Sequence, residues 1–108
     1  MSEQSLEHIL FMKLKEDMSD ADLKRLTDCI EELRELPGVL NISFGKNFSD
    51  RSGGYNWGYR VLFEKKSDLD VYGPHPTHER LKAILNEVKT GPPLVSDFLV
   101  PKFPFTKY

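Results

Sequence analysis

Apolar and polar residues alternate near the start of the chain, which is the pattern of a strand with two distinct faces. In the segment from His8 to Lys15, one face carries His8, Leu10, Met12 and Leu14. The opposite face carries Ile9 and Phe11. This segment is therefore predicted to be a strand with apolar residues on both faces.

The segment from Tyr55 to Glu64 gives the strongest strand pattern in the chain. Aromatic and β-branched residues dominate one side of it: Tyr55, Trp57, Tyr59, Val61 and Phe63. Such residues are enriched in strands. Two shorter apolar segments, 39–45 and 94–100, predict two more strands. In the first of these, Leu40, Ile42 and Phe44 are expected to share one face.

Two longer segments show the three- and four-residue spacing of a helix with one apolar face. The first follows Ser19, a residue type that suits the N-cap position, and it ends at Pro37 and Gly38. The second begins at Pro76, since proline is favoured at the first helical position, and it ends before Gly91. Its apolar stripe consists of His78, Leu81, Ile84, Leu85 and Val88.

The predicted order is β-α-β-β-α-β, with one extra helical turn from its expected cap Ser67 to Gly73. This order indicates a ferredoxin-like α+β fold with an antiparallel four-stranded sheet and both helices on one face. We expect one domain over residues 1–108, with a core at about 8–100 and a short C-terminal tail. Ile9 and Phe11 would lie on the uncovered face, and such faces usually mark interfaces. We therefore expect a homodimer through the open sheet faces.

Composition argues against nucleic-acid binding and membrane insertion. The net charge is -2 and no basic stripe occurs, so we expect no nucleic-acid partner. No segment approaches the roughly 20 apolar residues of a membrane span, so we expect no membrane partner. Cys29 is the only cysteine, and the first residues lack the pattern of a signal peptide. These features predict a cytoplasmic protein.

His78 is the main candidate for chemistry. It lies on the inward stripe of the second predicted helix, in its first turn. Both burial and the helix N-terminus disfavour a positive charge there, so the ring is expected to be neutral near pH 7. A neutral histidine can accept a proton as a general base. The alternative is a core histidine, which is the more common role for a histidine on an apolar stripe.

The other candidate residues allow structural explanations as well. Tyr72 could simply be a packing aromatic, and His8 a capping or core residue. His75 precedes Pro76 and is expected to be a helix cap or a surface residue. No metal is expected, because the proline separates His75 from His78 and neither paired cysteines nor an HExxH spacing occurs.

Several segments together resemble the stress-responsive A/B barrel (Dabb) family over His8 to about Val100. They are "HILFMKLKE", "LPGV", "FGKN", "GYNWGYRVLFE", "DLDVYGPHPTHERL" and "DFLV", of which the Tyr-x-x-His-Pro-x-His run is the most specific. The resemblance implies a dimeric α+β barrel. Many members are stress proteins, and a plant cyclase of the family closes a linear polyketide by aldol chemistry without a metal or organic cofactor.

By position, the resemblance implies that His78 is the base, that Tyr72 positions the substrate carbonyl, and that His8 assists. The chain departs from the cyclase at two positions: Trp57 stands where the cyclase has a histidine, and Ile30 where it has a tyrosine. The expected pocket is therefore more apolar, with substrate-binding residues Leu10, Trp57, Tyr59, Leu81 and Ile30.

Three functions remain open at this point. The first is a cofactor-free, polyketide cyclase-like lyase that removes a proton next to a carbonyl group of a small apolar ligand. The second is a non-catalytic, stress-related dimer with a structural or ligand-binding role. The third, ranked lowest, is a cofactor-free monooxygenase-like member of the dimeric α+β barrel group.

Overall fold

A computed structural model describes residues 4–102 of the chain, so most of the predicted C-terminal tail lies outside the described residues. The strands are β1 (Gln4–Met12), β2 (Val39–Lys46), β3 (Trp57–Phe63) and β4 (Leu94–Pro101). The helices are α1 (Asp20–Leu33), α2 (Asp68–Tyr72) and α3 (Pro76–Val88). This is the predicted β-α-β-β-α-β order, with α2 as the extra turn.

The four strands form one antiparallel sheet in the order β2-β3-β1-β4. In the register of the two central strands, His8 pairs with Val61. On the other side of β1, His8 pairs with Asp97 of β4. The ferredoxin-like fold predicted from the sequence is confirmed.

The core lies between one face of the sheet and the helices. Leu6 and Val61 of the sheet are at most 3% exposed, and Leu26 and Leu33 of α1 are fully buried. Alternation explains this burial, because every second residue of a strand points to the same face. α1 begins as predicted, with the Ser19 hydroxyl accepting a hydrogen bond from the backbone N–H of Asp22.

β1 begins and ends earlier than the pattern predicts. Its first residues pair with the end of β4. Because several of them are polar, the sequence there shows no clear alternation of apolar and polar residues. The strand ends at Met12 because the backbone of Leu14 is bound by a side chain instead. The Asn56 amide accepts from the Leu14 N–H and donates to its carbonyl, both at 2.8 Å. Tyr55 likewise precedes β3, which begins at Trp57.

Two local predictions were wrong. Leu40 does not share the inner face with Ile42, because the register of β2 shifts between Val39 and Asn41. This irregularity leaves Leu40 53% exposed while Ile42 is 2% exposed. Ser67 precedes α2 but its side chain makes no cap hydrogen bond.

None of the three described helices lies over the other face of the sheet. It carries Ile9, Phe11 and, on β4, Phe98 and Leu94. Phe11 is 38% exposed and Phe98 is 46% exposed. We call this surface the open face. Among residues 4–102, none of the helices has the length and apolar character needed to cross a membrane.

Candidate functional site

A cavity of about 300 Å³ lies between the covered face of the sheet and α3. Its size falls at the lower end of the range for small-molecule sites. Six of the residues singled out from the sequence line it: His8, Leu10, Tyr59, Tyr72, His78 and Leu81. β1 and β3 supply one wall, and α2 with α3 supplies the other.

His78 lies in the first turn of α3, after the tight connection from α2. Its Nδ1 is 2.8 Å from the carbonyl oxygen of Gly73, which can only accept. Nδ1 therefore carries the hydrogen, and Nε2 of the neutral ring holds the free lone pair. Burial lowers the pKa of His78, and the nearby Lys82 lowers it further, although the Gly73 carbonyl acts in the opposite direction. The neutral form expected from the sequence is thus favoured.

Tyr72 ends α2 and is 1% exposed. Its ring centroid lies 4.3 Å from that of His78. Its hydroxyl oxygen is 2.6 Å from the hydroxyl oxygen of Tyr59, on the neighbouring wall. Burial raises the pKa of Tyr72 to about 12, despite the opposing effect of the hydrogen bond from Tyr59. Both phenols are therefore protonated near neutral pH.

His8 reaches the same end of the cavity from β1. Its ring packs edge-on against Tyr72, with 5.9 Å between centroids. Its Nδ1 is 2.5 Å from Oδ1 of Asp97, the residue paired with it on β4. An ionised carboxylate only accepts, so Nδ1 is the donor and the carboxylate fixes the orientation of the ring.

Asp97 was missed by the sequence analysis. It lies in the last strand, far from His8 along the chain. In such an apolar segment, a single acidic residue is usually expected to face solvent. Only the register of β1 with β4 brings the two side chains together. The one available signal was the acidic residue itself, because a charge in an otherwise apolar strand often has a specific partner.

Trp57 and Ile30 do not lie in this cavity. Trp57 stacks on Phe44 of β2, with 4.8 Å between ring centroids and a 15° angle between planes. It lines a separate depression beneath the start of α1 instead. Ile30 is 4% exposed and packs in the main core. Both side chains are on the covered side of the sheet, but the cavity extends under α3 rather than under α1.

The third histidine has a structural role. His75 is the N-cap of α3, and its Nδ1 accepts a hydrogen bond from the backbone N–H of Thr77 at 3.1 Å. This confirms the predicted cap. Within the described part of the chain, no three or more His, Cys, Asp or Glu side chains are grouped as they would be to hold a metal ion.

The sequence analysis also missed the polar edge of the cavity. Four further residues there carry charge or an amide: Lys13, Lys82, Asn86 and Lys89. The spacing along α3 contained this information, since Lys82, Asn86 and Lys89 follow one another at four and three residues.

Solved structures share this architecture. A protein of unknown function from Jannaschia, described as dimeric and ferredoxin-like, is 28% identical, with a TM-score of 0.70 over 89% of this chain and 99% of the other. A second dimeric ferredoxin-like protein, from Thermobifida fusca, is 16% identical, with a TM-score of 0.75 over 91% and 92%. The hydroxynitrile lyase of Passiflora edulis is 16% identical, with a TM-score of 0.77 over 96% and 100%.

The sequence comparisons agree with the fold. A search of curated protein sequences gives no match. The model of one protein family, the Stress responsive A/B Barrel Domain, matches residues 6–99, which is nearly the whole of the described sheet and its helices. The chain therefore belongs to the stress-responsive A/B barrel (Dabb) family.

Proposed function

We propose that the protein is a cofactor-free lyase, similar to a polyketide cyclase, that removes a proton next to a carbonyl group. The observation that carries this proposal is the hydrogen bond from His78 Nδ1 to the carbonyl of Gly73. It fixes the tautomer whose Nε2 can accept a proton. Burial lowers the pKa of the same ring, so the base is unprotonated near pH 7.

Tyr72 is proposed to stabilise the negative charge that develops on the carbonyl oxygen. When Tyr59 donates to the Tyr72 oxygen, the proton of Tyr72 is free to donate to a ligand. A donor held in place before the reaction stabilises an oxyanion effectively in a site that excludes water. His8, oriented by Asp97 and packed edge-on against Tyr72, is proposed to assist from β1.

The proposed step balances without any redox partner. Nε2 of His78 takes the proton from the carbon next to the carbonyl, and the C–H electron pair forms the enolate, whose oxygen accepts the hydrogen bond of Tyr72. The enolate carbon then attacks a second carbonyl carbon of the same molecule and forms a C–C bond. The resulting alkoxide recovers a proton from the protonated His78. This is an aldol closure.

The Passiflora edulis neighbour supports this class of reaction. It is named as a lyase, so the fold carries lyase chemistry in another protein. The apolar walls of the cavity support a ligand with a hydrocarbon body, because Leu10 and Leu81 contribute to them. The proposed ligand is a small apolar carbonyl compound.

A test follows proton exchange rather than a specific substrate. We expect the protein to accelerate exchange of the protons next to the carbonyl of 2-octanone for deuterium in D₂O, measured by NMR. His78→Gln should lower the rate by about a hundred- to ten-thousand-fold, the usual contribution of a general base. Tyr72→Phe should lower it as well, because the oxyanion loses a donor.

His75→Asn is the matched control. It changes the other histidine of the motif, and asparagine is itself a good N-cap, so exchange should be unchanged. Absence of any acceleration by the wild-type protein would exclude the proposed chemistry, as would equal losses in His78→Gln and His75→Asn.

A second candidate function is non-catalytic ligand binding. Within residues 4–102, no fully buried side-chain oxygen or nitrogen is without a hydrogen-bond partner. The hydroxyl oxygens of Tyr59 and Tyr72 thus have each other as partners without a reacting molecule. A protein that binds 2-octanone but does not exchange its protons would fit this function.

We also propose that two copies associate through their open faces. The dimeric neighbours from Jannaschia and Thermobifida fusca support this assembly. Across the open face, Phe11 pairs with Gly58, and Gly58 pairs with Gly45. A Cβ atom at either glycine would meet nothing within 4 Å, so a shallow groove lies beside the phenyl ring. Apolar side chains of a second copy would fill such a groove.

The proposed location is the cytoplasm. Cys29 is the only cysteine, it is buried as a free thiol, and burial raises its pKa. A single unpaired thiol suits a reducing compartment.

A further inference from the structure

The outer edge of the cavity carries positive charge. α3 contributes Lys82 and Asn86, its C-cap residue Lys89 comes next, and Lys13 follows the end of β1. Among the described residues that line the cavity, none is acidic. The whole chain has 17 acidic and 15 basic residues, so composition alone would not predict this distribution.

α3 presents two parallel rows to the cavity. The inner row, His78, Leu81 and Leu85, is half-buried or buried and mostly apolar. The outer row is exposed and consists of Lys82 and Asn86, about 6 Å apart along the helix axis, followed by the C-cap residue Lys89. A ligand whose body packs on the inner row would therefore have one end beside the outer row.

The charge of these lysines is available to a ligand. Within residues 4–102, Lys89 makes no ion pair. Lys82 pairs with Glu79 at 2.9 Å, but both side chains are about half exposed, and such pairs are weak and readily exchanged. Lys13 places its ammonium 4.8 Å from the centroid of the Tyr55 ring, with no carboxylate bound to it in the described part of the chain.

Helix stability does not explain this arrangement. A lysine at a helix C-terminus is favoured by the helix dipole, which accounts for Lys89 alone. Lys82 lies in the middle of α3, and Lys13 comes from the opposite wall. Among residues 4–102, two acidic side chains are bonded to lining residues: Asp97 to His8, and Glu79 to Lys82.

We infer that the cavity binds an amphipathic carboxylate, with its hydrocarbon body against Leu81 and Leu85 and its anionic end at Lys82 and Lys89. Asn86, between the two lysines, can donate a hydrogen bond to the same group. The inference rests on the proposed function only because both treat this cavity as the ligand site. If the protein is catalytic, its substrate would be a carbonyl compound that also carries a carboxylate. It does not require that the protein be catalytic.

The experiment compares three probes of one chain length: octanoate, 1-octanol and octylamine. Binding to the full chain is measured by calorimetry at pH 8, where the acid and the amine are both charged. We expect octanoate to bind at least about five times more tightly than octanol, because each exposed charge pair contributes a factor of about two to five. Octylamine should bind most weakly of the three.

Variants then test whether the two lysines bind the carboxylate of octanoate. Lys82→Gln with Lys89→Gln should weaken octanoate about five- to twentyfold and leave octanol within about twofold, since the two glutamines keep the hydrocarbon stems. The control is Lys24→Gln, on the exposed side of α1 and paired with Asp28 at 2.6 Å. It should change neither affinity.

The outcomes separate this inference from the proposed chemistry. Equal binding of octanoate and octanol, no binding of any probe, or equal losses in the double variant and Lys24→Gln would each overturn it. A preference for octanoate in a protein that fails to exchange the protons of uncharged 2-octanone would leave it intact and exclude only the lyase proposal.

Discussion

The two faces of the sheet are built from the same strands but differ in how much of their apolar surface is buried. On the covered face, Val61 and Phe63 are fully buried beneath the helices. On the open face, Phe11 and Phe98 are 38% and 46% exposed. In the two central strands, the apolar side chains of the covered face are thus buried within one chain, whereas Phe11 on the open face is not. At the β4 edge the covered face is also exposed, since Val95 and Leu99 are 49% and 42% exposed.

The candidate site belongs entirely to the covered face. His8 of β1 and Tyr59 of β3 point to the same side of the sheet as the core residues between them. Ile9 and Phe11, one residue away from the lining residues of β1, point to the other side. A single strand therefore contributes to the cavity with one set of residues and to the proposed dimer contact with the alternate set.

The largest expected effect concerns the open face. Phe11→Asp places a charge in the proposed contact, and a symmetric dimer contains the change twice. We expect the dimer to weaken by at least about a thousandfold, since central aromatic contacts are worth about 2 kcal/mol or more each. Sedimentation velocity at micromolar concentration should show monomers or aggregates.

The control for this change is Val71→Asp. Val71 is 56% exposed on α2, away from the open face. It adds the same charge to the surface and should leave the assembly unchanged. A Phe11→Asp protein that sediments as the wild type does would show that the open face is not the contact.

Most of the fold could be predicted from the sequence, because the alternation of residues and the spacing of apolar residues are local signals. The cap by His75 and the inward stripe of α3 were predicted for the same reason. The position of Leu40 could not be, since a register shift in β2 arises from pairing with β3 and has no fixed sequence signal.

The candidate site was less predictable than the fold, and the reason is tertiary. Whether Trp57 lines the cavity depends on which helix lies above it, and it packs on Phe44 beneath the start of α1. The contact of Asp97 with His8 depends on the register of strands at opposite ends of the chain. Neither relation can be read from spacing along one sequence.

The next largest effect is a loss of stability on the covered face, tested with two leucine-to-alanine changes. Leu26→Ala removes a fully buried side chain of α1 and should lower the free energy of unfolding by about 3 kcal/mol. Leu40→Ala makes the same chemical change at the exposed position of the β2 irregularity. It should change the stability by less than about 0.5 kcal/mol. Urea unfolding followed by circular dichroism measures both.

Leu26→Ala should leave the proposed assembly unchanged, because Leu26 lies on α1, on the covered side of the sheet. Equal losses of unfolding free energy in Leu26→Ala and Leu40→Ala would mean that the Leu40 side chain is buried in the native protein. That result would contradict the division of the sheet into one completed face and one open face.

The smallest effect is the pH dependence that His78 gives to the covered face. Burial lowers the pKa of His78 in the folded protein from its ordinary value of 6.5, which the unfolded chain retains. As the pH falls below about 6.5, the unfolded chain takes up a proton that the folded chain does not, so the free energy of unfolding decreases. The decrease stops growing once the pH passes below the folded pKa. Its slope stays under about 1.4 kcal/mol per pH unit, since a single ring takes up at most one proton.

His78→Asn should remove this contribution. Urea unfolding at several pH values between 5 and 8 is expected to show a smaller acid-side loss in His78→Asn than in the wild type. Leu85→Ala, which alters a half-buried cavity residue without a titrating group, should lower stability equally at every pH. A wild-type protein and His78→Asn with parallel pH profiles would mean that folding does not depress the pKa of His78. His78 would then not be held neutral on this face of the sheet.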